Sequence, residues 1–304
     1  MFTSKTKSNV QVFKVANTST DNVGMQSWYK PRGVSMIQFF AVSGGGGGGG
    51  GFSGAVGGGG GGGACSGLTR FICPAIFLPD ILDVQVGAGG QGGADSTNGA
   101  NGLNSYVCTG KNFNLPNRVV TGSVVAPSGG APGTLGAGGA GGVAPTIAVT
   151  QPIHTWGMWF SNVGLVGATG GNPGVAGTSV TAWATPPLSP GAGGGGGNVT
   201  DFDGGAQTAS ALTDMESQGY YPTGAGNICK AGTGTGAAID GSSFNPRLTP
   251  FFNAGGAGGG SNVAGVGGIG GAAGYGCGGG GGGSGLTGGR GGKGGDGIVI
   301  IIAW

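Results

Sequence analysis

Charged side chains are scarce in this sequence. Asp, Glu, Lys and Arg make up 7% of the 304 residues, against about 25% in an ordinary globular domain. The formal net charge is +2, and nucleic-acid binding needs clustered Lys and Arg, so we expect no nucleic-acid partner. Disordered chains combine high net charge with few aromatic residues. The hydrophobic fraction of 37% therefore favours an ordered protein.

Residue patterns for catalysis and metal binding are missing as well. His154 is the only histidine and Glu216 the only glutamate, and a loop or packed position is the preferred interpretation of His154. The run Asp201-Phe-Asp203-Gly204 lacks the further oxygen ligands and the closing Glu of a calcium loop. Matches to G-x-G-x-x-G are frequent, but they lack the strand, the helix and the acidic residue of a dinucleotide site. We predict no enzyme activity, no metal and no cofactor.

Long apolar runs are also absent. Residues 36–42 and 298–304 are far shorter than the ~20 residues that span a bilayer. No apolar segment follows the polar N-terminus as in a signal peptide, so we expect synthesis in a cytoplasm and no membrane insertion. The cysteines form no C-x-x-C pair, which disfavours a zinc site. We expect buried free thiols at Cys65, Cys73, Cys108, Cys229 and Cys277.

Glycine is the residue in excess, with 84 copies against a usual share of about 7%. Near the C-terminus the other residues recur every third position. The frame contains Ala254, Ala257, Val263, Val266, Ile269, Ala272, Tyr275, Ser284, Thr287, Arg290, Lys293 and Asp296. A period of three indicates the polyproline-II conformation, whereas helices and strands have periods of 3.6 and two. We predict that the apolar half of this frame faces a core and the polar half faces water.

The glycine runs 44–51, 57–63 and 278–283 argue for a lattice of polyglycine-II rods. Collagen shares the three-residue helix, but proline is scarce here and these runs lack collagen's side chains. An isolated rod has no internal hydrogen bonds to offset the ordering of glycine, so rods must pair with one another. At about 3.1 Å per residue, 254–296 would be about 130 Å long. We therefore predict turns near 258–260 and 278–283.

Apolar segments next to the glycine runs are predicted to clamp the rods. Segments 34–42, 71–86 and 298–302 have strand patterns, 10–15 is a weaker strand candidate, and 206–218 is a weak helix candidate. The predicted fold is mainly irregular and β structure, a polyglycine-II bundle clamped by a small β-sheet or sandwich, with almost no α-helix. We divide one composite domain into four parts: an N-terminal segment 1–33, strands and glycine runs 34–102, a Trp- and Pro-rich insertion 103–250, and a second glycine region with the last strand, 251–304.

Two short stretches carry a resemblance to a known family. Residues 28–33, Trp-Tyr-Lys-Pro-Arg-Gly, followed by a strand and a glycine run, and the ending 288–300 resemble the two ends of glycine-rich domains in bacteriophage virion proteins. The resemblance covers about 28–102 and 251–304. It implies a virion location after synthesis in the host cytoplasm. It also implies a role in tail fibres or receptor-binding adhesins, where loops between polyglycine-II rods touch the host.

The expected function is a tail-fibre or tail-tip adhesin that binds a host-surface glycan or outer-membrane protein. The alternatives are a capsid decoration or other assembly protein present in many copies, whose partners are virion proteins or copies of itself, and an antifreeze-like polyglycine-II protein. Aromatic residues of the insertion are the candidate contacts, although packing on the framework or on other subunits is the preferred explanation for them. They are Trp156, Trp159, Phe160, Trp183, Tyr220 and Tyr221.

Overall fold

The structure is a computed structural model that describes most of the chain. The described residues are 9–16, 24–110, 117–123, 125–146, 157–182, 188–209, 227–229, 231–234, 240–241, 243 and 253–304. Within them the regular elements are β-strands and short turns, with one 3-10 helix at Ala75–Phe77. The predicted class, β and irregular structure with almost no α-helix, is confirmed.

Two antiparallel sheets form a sandwich at one end of the molecule. The larger has the order β1-β14-β3-β4-β8 and the smaller β2-β5-β6-β7. Their strands are β1 Asn9–Phe13, β2 Gln26–Tyr29, β3 Met36–Val42, β4 Leu68–Pro74, β5 Ile81–Gln85, β6 Tyr106–Cys108, β7 Arg118–Thr121, β8 Met158–Asn162 and β14 Ile298–Ala303. Trp28, Phe39 and Phe71 are fully buried between the sheets. The strand predictions at 10–15, 34–42, 71–86 and 298–302 are therefore confirmed.

Smaller sheets lie elsewhere in the chain. β9 Val180–Ala182 pairs in parallel with β10 Gln207–Ala209, which pairs antiparallel with β11 Asn227–Cys229. β12 Asn262–Val266 runs parallel to β13 Gly285–Thr287. The helix prediction for 206–218 is wrong where it can be compared, since 207–209 is a strand. The remainder of that segment lies outside the described residues.

Most sandwich strands continue into extended glycine rods. Rod 1 (44–52) follows β3, rod 2 (57–66) precedes β4, rod 3 (86–94) follows β5, and rod 5 (288–297) precedes β14. Rod 4 (277–285) lies between turns. None of the rod glycines has a positive φ, so all the rods share one hand. This gives the predicted polyglycine-II bundle its form.

Rod 1 has six neighbours, as in a hexagonal lattice. Its successive amides donate in rotation to the carbonyls of three segments, 97–103, 289–295 and 58–64. Its carbonyls accept from three others, 90–96, 130–133 and 279–285. The three-residue period thus sends each third amide to the same neighbour, and every backbone polar group of the rod is paired.

Three central rods also close a ring of hydrogen bonds. Rod 1 donates to rod 2, rod 2 donates to rod 4, and rod 4 donates back to rod 1, with N···O distances of 2.8–3.1 Å along the three contacts. A Cβ atom added at almost any glycine of these rods would fall within 3.0 Å of a neighbouring backbone. Uninterrupted glycine runs therefore mark rods that are surrounded on all sides.

The rod order repeats the strand order. The larger sheet's order β14-β3-β4-β8 continues as rods 288–297, 44–52, 57–66 and 163–172, each hydrogen-bonded to the next. The smaller sheet continues as 86–94, 98–105 and 126–134. Stacked sheets lie ~10 Å apart, whereas these two rows of rods are joined by direct hydrogen bonds. The rows must therefore converge just beyond the sandwich.

Buried serines occupy this convergence. The Ser43 amide donates to Ser66 Oγ at 2.9 Å, and the Ser105 amide donates to Ser43 Oγ at 3.0 Å. Ser105 Oγ donates to the Val42 carbonyl at 2.8 Å and accepts from the Gly87 amide at 3.0 Å. These side chains satisfy backbone groups that match neither the sheet nor the lattice.

Two predictions about the C-terminal frame are wrong. Val266 and Ile269 are exposed, because an outer rod has room for a Cβ only on its outward side. The glycines at 258–260 and 278–283 are buried in the middle of rods. The chain reverses instead at 262–266, at 285–287 and at Tyr275-Gly276, where Gly276 has a φ of 69° that favours glycine.

Candidate functional site

Rods that leave the sandwich reverse at the opposite end of the molecule. We call the reversals there the tip surface, which comprises residues 53–56, 95–97, 135–137, 172–175, 198–201, 262–266 and 285–287. Tight hydrogen bonds close the loops, such as Thr134 N–H to the Ala137 carbonyl at 2.9 Å. At Gly174, φ is 80°, so glycine is required in that turn.

Polar contacts join neighbouring tip loops into one surface. Ser53 Oγ donates to Asp95 Oδ2 at 2.9 Å and accepts from the Gly288 amide at 2.9 Å. Asp201 Oδ1 accepts from the Val263 amide at 2.6 Å. The loops are therefore held to one another by short side chains as well as by the rods beneath them.

Single aliphatic side chains project from most of these loops. Their exposed fractions range from 41% to 86%. The residues are Val56, Leu135, Val175, Val199, Val266 and Leu286. Loop 95–97 has polar side chains instead. An apolar patch shared by several loops is unusual on a monomer and is typical of an interaction surface.

The tip surface has no basic side chain within its defined residues. Its charged residues are Asp95 and Asp201, and both carboxylates accept hydrogen bonds inside the surface. The surface therefore offers aliphatic groups, small hydroxyls and amides to a partner.

Of the aromatic residues predicted as contacts, the structure describes Trp159 and Phe160. Both lie on β8, where they pair with Phe71 and Arg70 of β4. Trp159 packs against the sandwich core, whereas Phe160 is 56% exposed on the other face of the strand. Trp156, Trp183, Tyr220 and Tyr221 lie outside the described residues. A partner-contact role for the six stays a prediction.

The cysteines offer no reactive group. All five thiols are free and buried, as predicted. Burial raises the pKa of the Cys65 thiol to about 12 and that of Cys73 to about 11, so both are protonated at neutral pH. Within the described residues no group of His, Cys, Asp and Glu could hold a metal ion. No helix in that part of the chain is long and apolar enough to cross a membrane.

Sequence reasoning missed the tip aliphatics, although a signal was present. Each one interrupts the three-residue frame at a point rich in Gly, Asn, Ser, Thr or Asp, as in Thr134-Leu135-Gly136. Turn residues of that kind mark reversals, and a lone apolar residue in a reversal has no neighbour to pack on.

The geometry defines a class: a β-sandwich that extends a lattice of polyglycine-II rods ending in a tip surface. A family described as a glycine-rich domain matches residues 18–304. The chain belongs to this glycine-rich domain family. No curated protein matches the chain significantly.

Proposed function

We propose that this chain is a non-catalytic structural protein of a bacteriophage virion, a tail-fibre or tail-tip adhesin whose tip surface contacts the host. The observation that carries the proposal is the set of exposed aliphatic side chains on the tip loops. The phage setting rests on the resemblance of residues 28–33 and 288–300 to phage glycine-rich domains.

The lattice supplies the rigidity that such a role needs. Binding residues are often on loops that a rigid scaffold positions. Each tip loop here connects rods whose backbone groups pair with several neighbours, so little ordering entropy remains to oppose binding.

The position of the first and last strands also suits display of the tips. Asn9 pairs with Ala303, and the Trp304 carbonyl accepts from the Ser35 and Met36 amides at 2.7 and 2.9 Å. These contacts lie at the end of the sandwich away from the rods. An assembly held at that end would leave the tip surface free.

The chemistry of the tips favours a protein receptor over a glycan. Isolated Val and Leu side chains with no basic neighbour bind apolar protein surface by burial. The large aromatic anchors that dominate many contact surfaces are missing from the tip residues. An outer-membrane protein of the host is therefore the proposed partner.

A cell-binding assay tests the proposal. Fluorescently labelled protein is incubated with a panel of whole bacterial cells and measured by flow cytometry. We expect binding to some strains, and at least a tenfold loss of affinity in the double variant Leu135→Asp, Val199→Asp. The matched control is Ile76→Asp, which changes a residue 84% exposed at the sandwich end and is expected to bind as the unchanged protein does.

Three results would contradict parts of the proposal. Binding to no strain would remove the adhesin role. Equal binding by the double variant would remove the tip surface as the site. Hundreds of copies in purified particles would indicate a decoration protein instead.

A further inference from the structure

Rod 5 lies at an edge of the lattice and keeps two sets of backbone groups unused. Its other amides pair with rods 3 and 4, and its other carbonyls accept from rod 1 and from 270–276. The amides of Arg290 and Lys293, and the carbonyls of Gly291 and Gly294, make no backbone hydrogen bond with any residue that the structure describes. Both sets repeat every three residues.

Rod 3 is the neighbour of rod 5 and is open in the same way. The amides of Gly291 and Gly294 donate to the rod 3 carbonyls of Gly93 and Gly90 at 2.9 Å. The rod 3 amides of Ala88 and Gln91, and the carbonyls of Gly89 and Gly92, have no described backbone partner. We call this pair of rods the open flank.

Inside the lattice, the equivalent directions are always filled by another rod. Rod 1 shows the arrangement, with six neighbours and glycine throughout. A Cβ added there would fall on a neighbour's carbonyl. A rod can therefore be approached on a given side only where every residue facing that side is glycine.

Side chains cover the open flank at every third residue. They are Ala88, Gln91 and Ala94 on rod 3, and Arg290, Lys293 and Asp296 on rod 5. Lys293 forms an ion pair with Asp296 at 3.0 Å, and Asp296 also accepts from the Gly89 amide at 2.9 Å. Charged side chains protect the exposed edges of β-sheets in the same manner.

We propose that the open flank is a self-association surface for a second copy of this chain, kept closed by the side chains of Arg290 and Lys293. A second copy is the matching partner because its own open flank carries the complementary groups. Amides at 290 and 293 of each copy and carbonyls at 89 and 92 of the other have the same three-residue spacing, as a two-fold interface requires. Such an interface would continue the lattice across two molecules.

The test compares two double variants of the full chain. Arg290→Gly, Lys293→Gly exposes bare backbone, whereas Arg290→Ala, Lys293→Ala removes the same charges and keeps a Cβ. Sedimentation velocity over a hundredfold concentration range should show a dimer for the glycine variant and a monomer for the alanine variant and the unchanged protein. On dimer formation, hydrogen exchange at the amides of residues 290 and 293 should slow at least tenfold.

Each contrary result would overturn the proposal. A monomeric glycine variant would show that the flank does not associate. Association of both variants would show that charge, not the Cβ, keeps it closed. Dimers without slower exchange at 290 and 293 would place the contact elsewhere. If circular dichroism shows that the glycine variant is unfolded, Gln91→Gly replaces it under the same criteria.

Discussion

The lattice makes a sharp prediction about glycine. Gly48 lies in the middle of rod 1, and a methyl carbon added to it would lie 2.5 Å from the Gly280 carbonyl carbon of rod 4, and closer still to the oxygen. Ordinary carbon–carbon contacts are about 3.5–4.0 Å. Gly48→Ala must therefore move rods 1 and 4 apart by roughly 1 Å or more, because backbone on both sides cannot rotate away.

The hydrogen bonds between these rods give the magnitude. Three bonds join rod 4 amides to rod 1 carbonyls: Gly279 to Gly46, Gly282 to Gly49, and Gly285 to Phe52, at 2.9–3.1 Å. Stretching each by about 1 Å loses it, and a hydrogen bond contributes about 0.5–1.5 kcal/mol net, with a larger cost for groups left buried and unpaired. We expect Gly48→Ala to lower the free energy of unfolding by about 3–5 kcal/mol, measured by urea denaturation.

Gly136→Ala is the matched control. Gly136 is an exposed tip residue with a negative φ and nothing within 4 Å of an added Cβ. Removing glycine there restricts the unfolded chain and should stabilise the protein by about 0.4–1 kcal/mol. The two substitutions should thus have opposite signs. A loss below about 1 kcal/mol for Gly48→Ala, or losses of equal size in both variants, would refute close rod packing as the reason for the glycine runs.

Two further predictions concern the sandwich and its junction with the rods. Ser105→Ala should cost about 2–3 kcal/mol in urea denaturation, because the buried Gly87 amide and Val42 carbonyl lose their partner. Replacement of the exposed Thr109 by Ala should change stability by less than about 0.5 kcal/mol, and equal effects would contradict the role of the junction. Since burial raises the pKa of Cys65 to about 12 and that of Cys73 to about 11, stability should be constant below pH ~9. It should fall between pH ~9 and ~12, where the unfolded thiols ionise first, at up to about 1.4 kcal/mol per pH unit for each thiol. Cys73→Ala should make that fall less steep, and an unchanged slope would contradict the assignment.

The sequence predicts the conformation of the rods but not their path. The three-residue period and the runs at 44–51 and 278–283 identify polyglycine-II rods, because side-chain spacing reports backbone geometry directly. The direction in which each third residue points depends on which neighbours surround the rod. That arrangement is set by pairs such as Gly45 with Gly295, which are far apart in the chain. The apolar half of the frame was therefore assigned to a core that it does not face.

The same reasoning explains the errors about turns. A pure glycine run seems the obvious place for a reversal, since glycine favours turns. In a lattice it marks the opposite, because residues surrounded by rods on every side must lack a Cβ. Reversals occur where side chains reappear, as at Asn262–Val266 and Gly285–Thr287. Exposed valines and leucines there follow from the lattice as much as from the local sequence.

The sandwich and the lattice depend on each other for the same physical reason. Polyglycine rods bury almost no side-chain surface, so hydrophobic burial cannot hold them in register. The larger sheet can, because Ile301 faces Phe39, and Phe39 faces Phe71, in its hydrogen-bonded register, and all three are fully buried. That register aligns rods 5, 1 and 2 before a single lattice bond forms. The entropy cost of bringing distant glycines together is thereby offset by the sandwich, while the lattice supplies the long, thin reach that a hydrophobic core of this size could not.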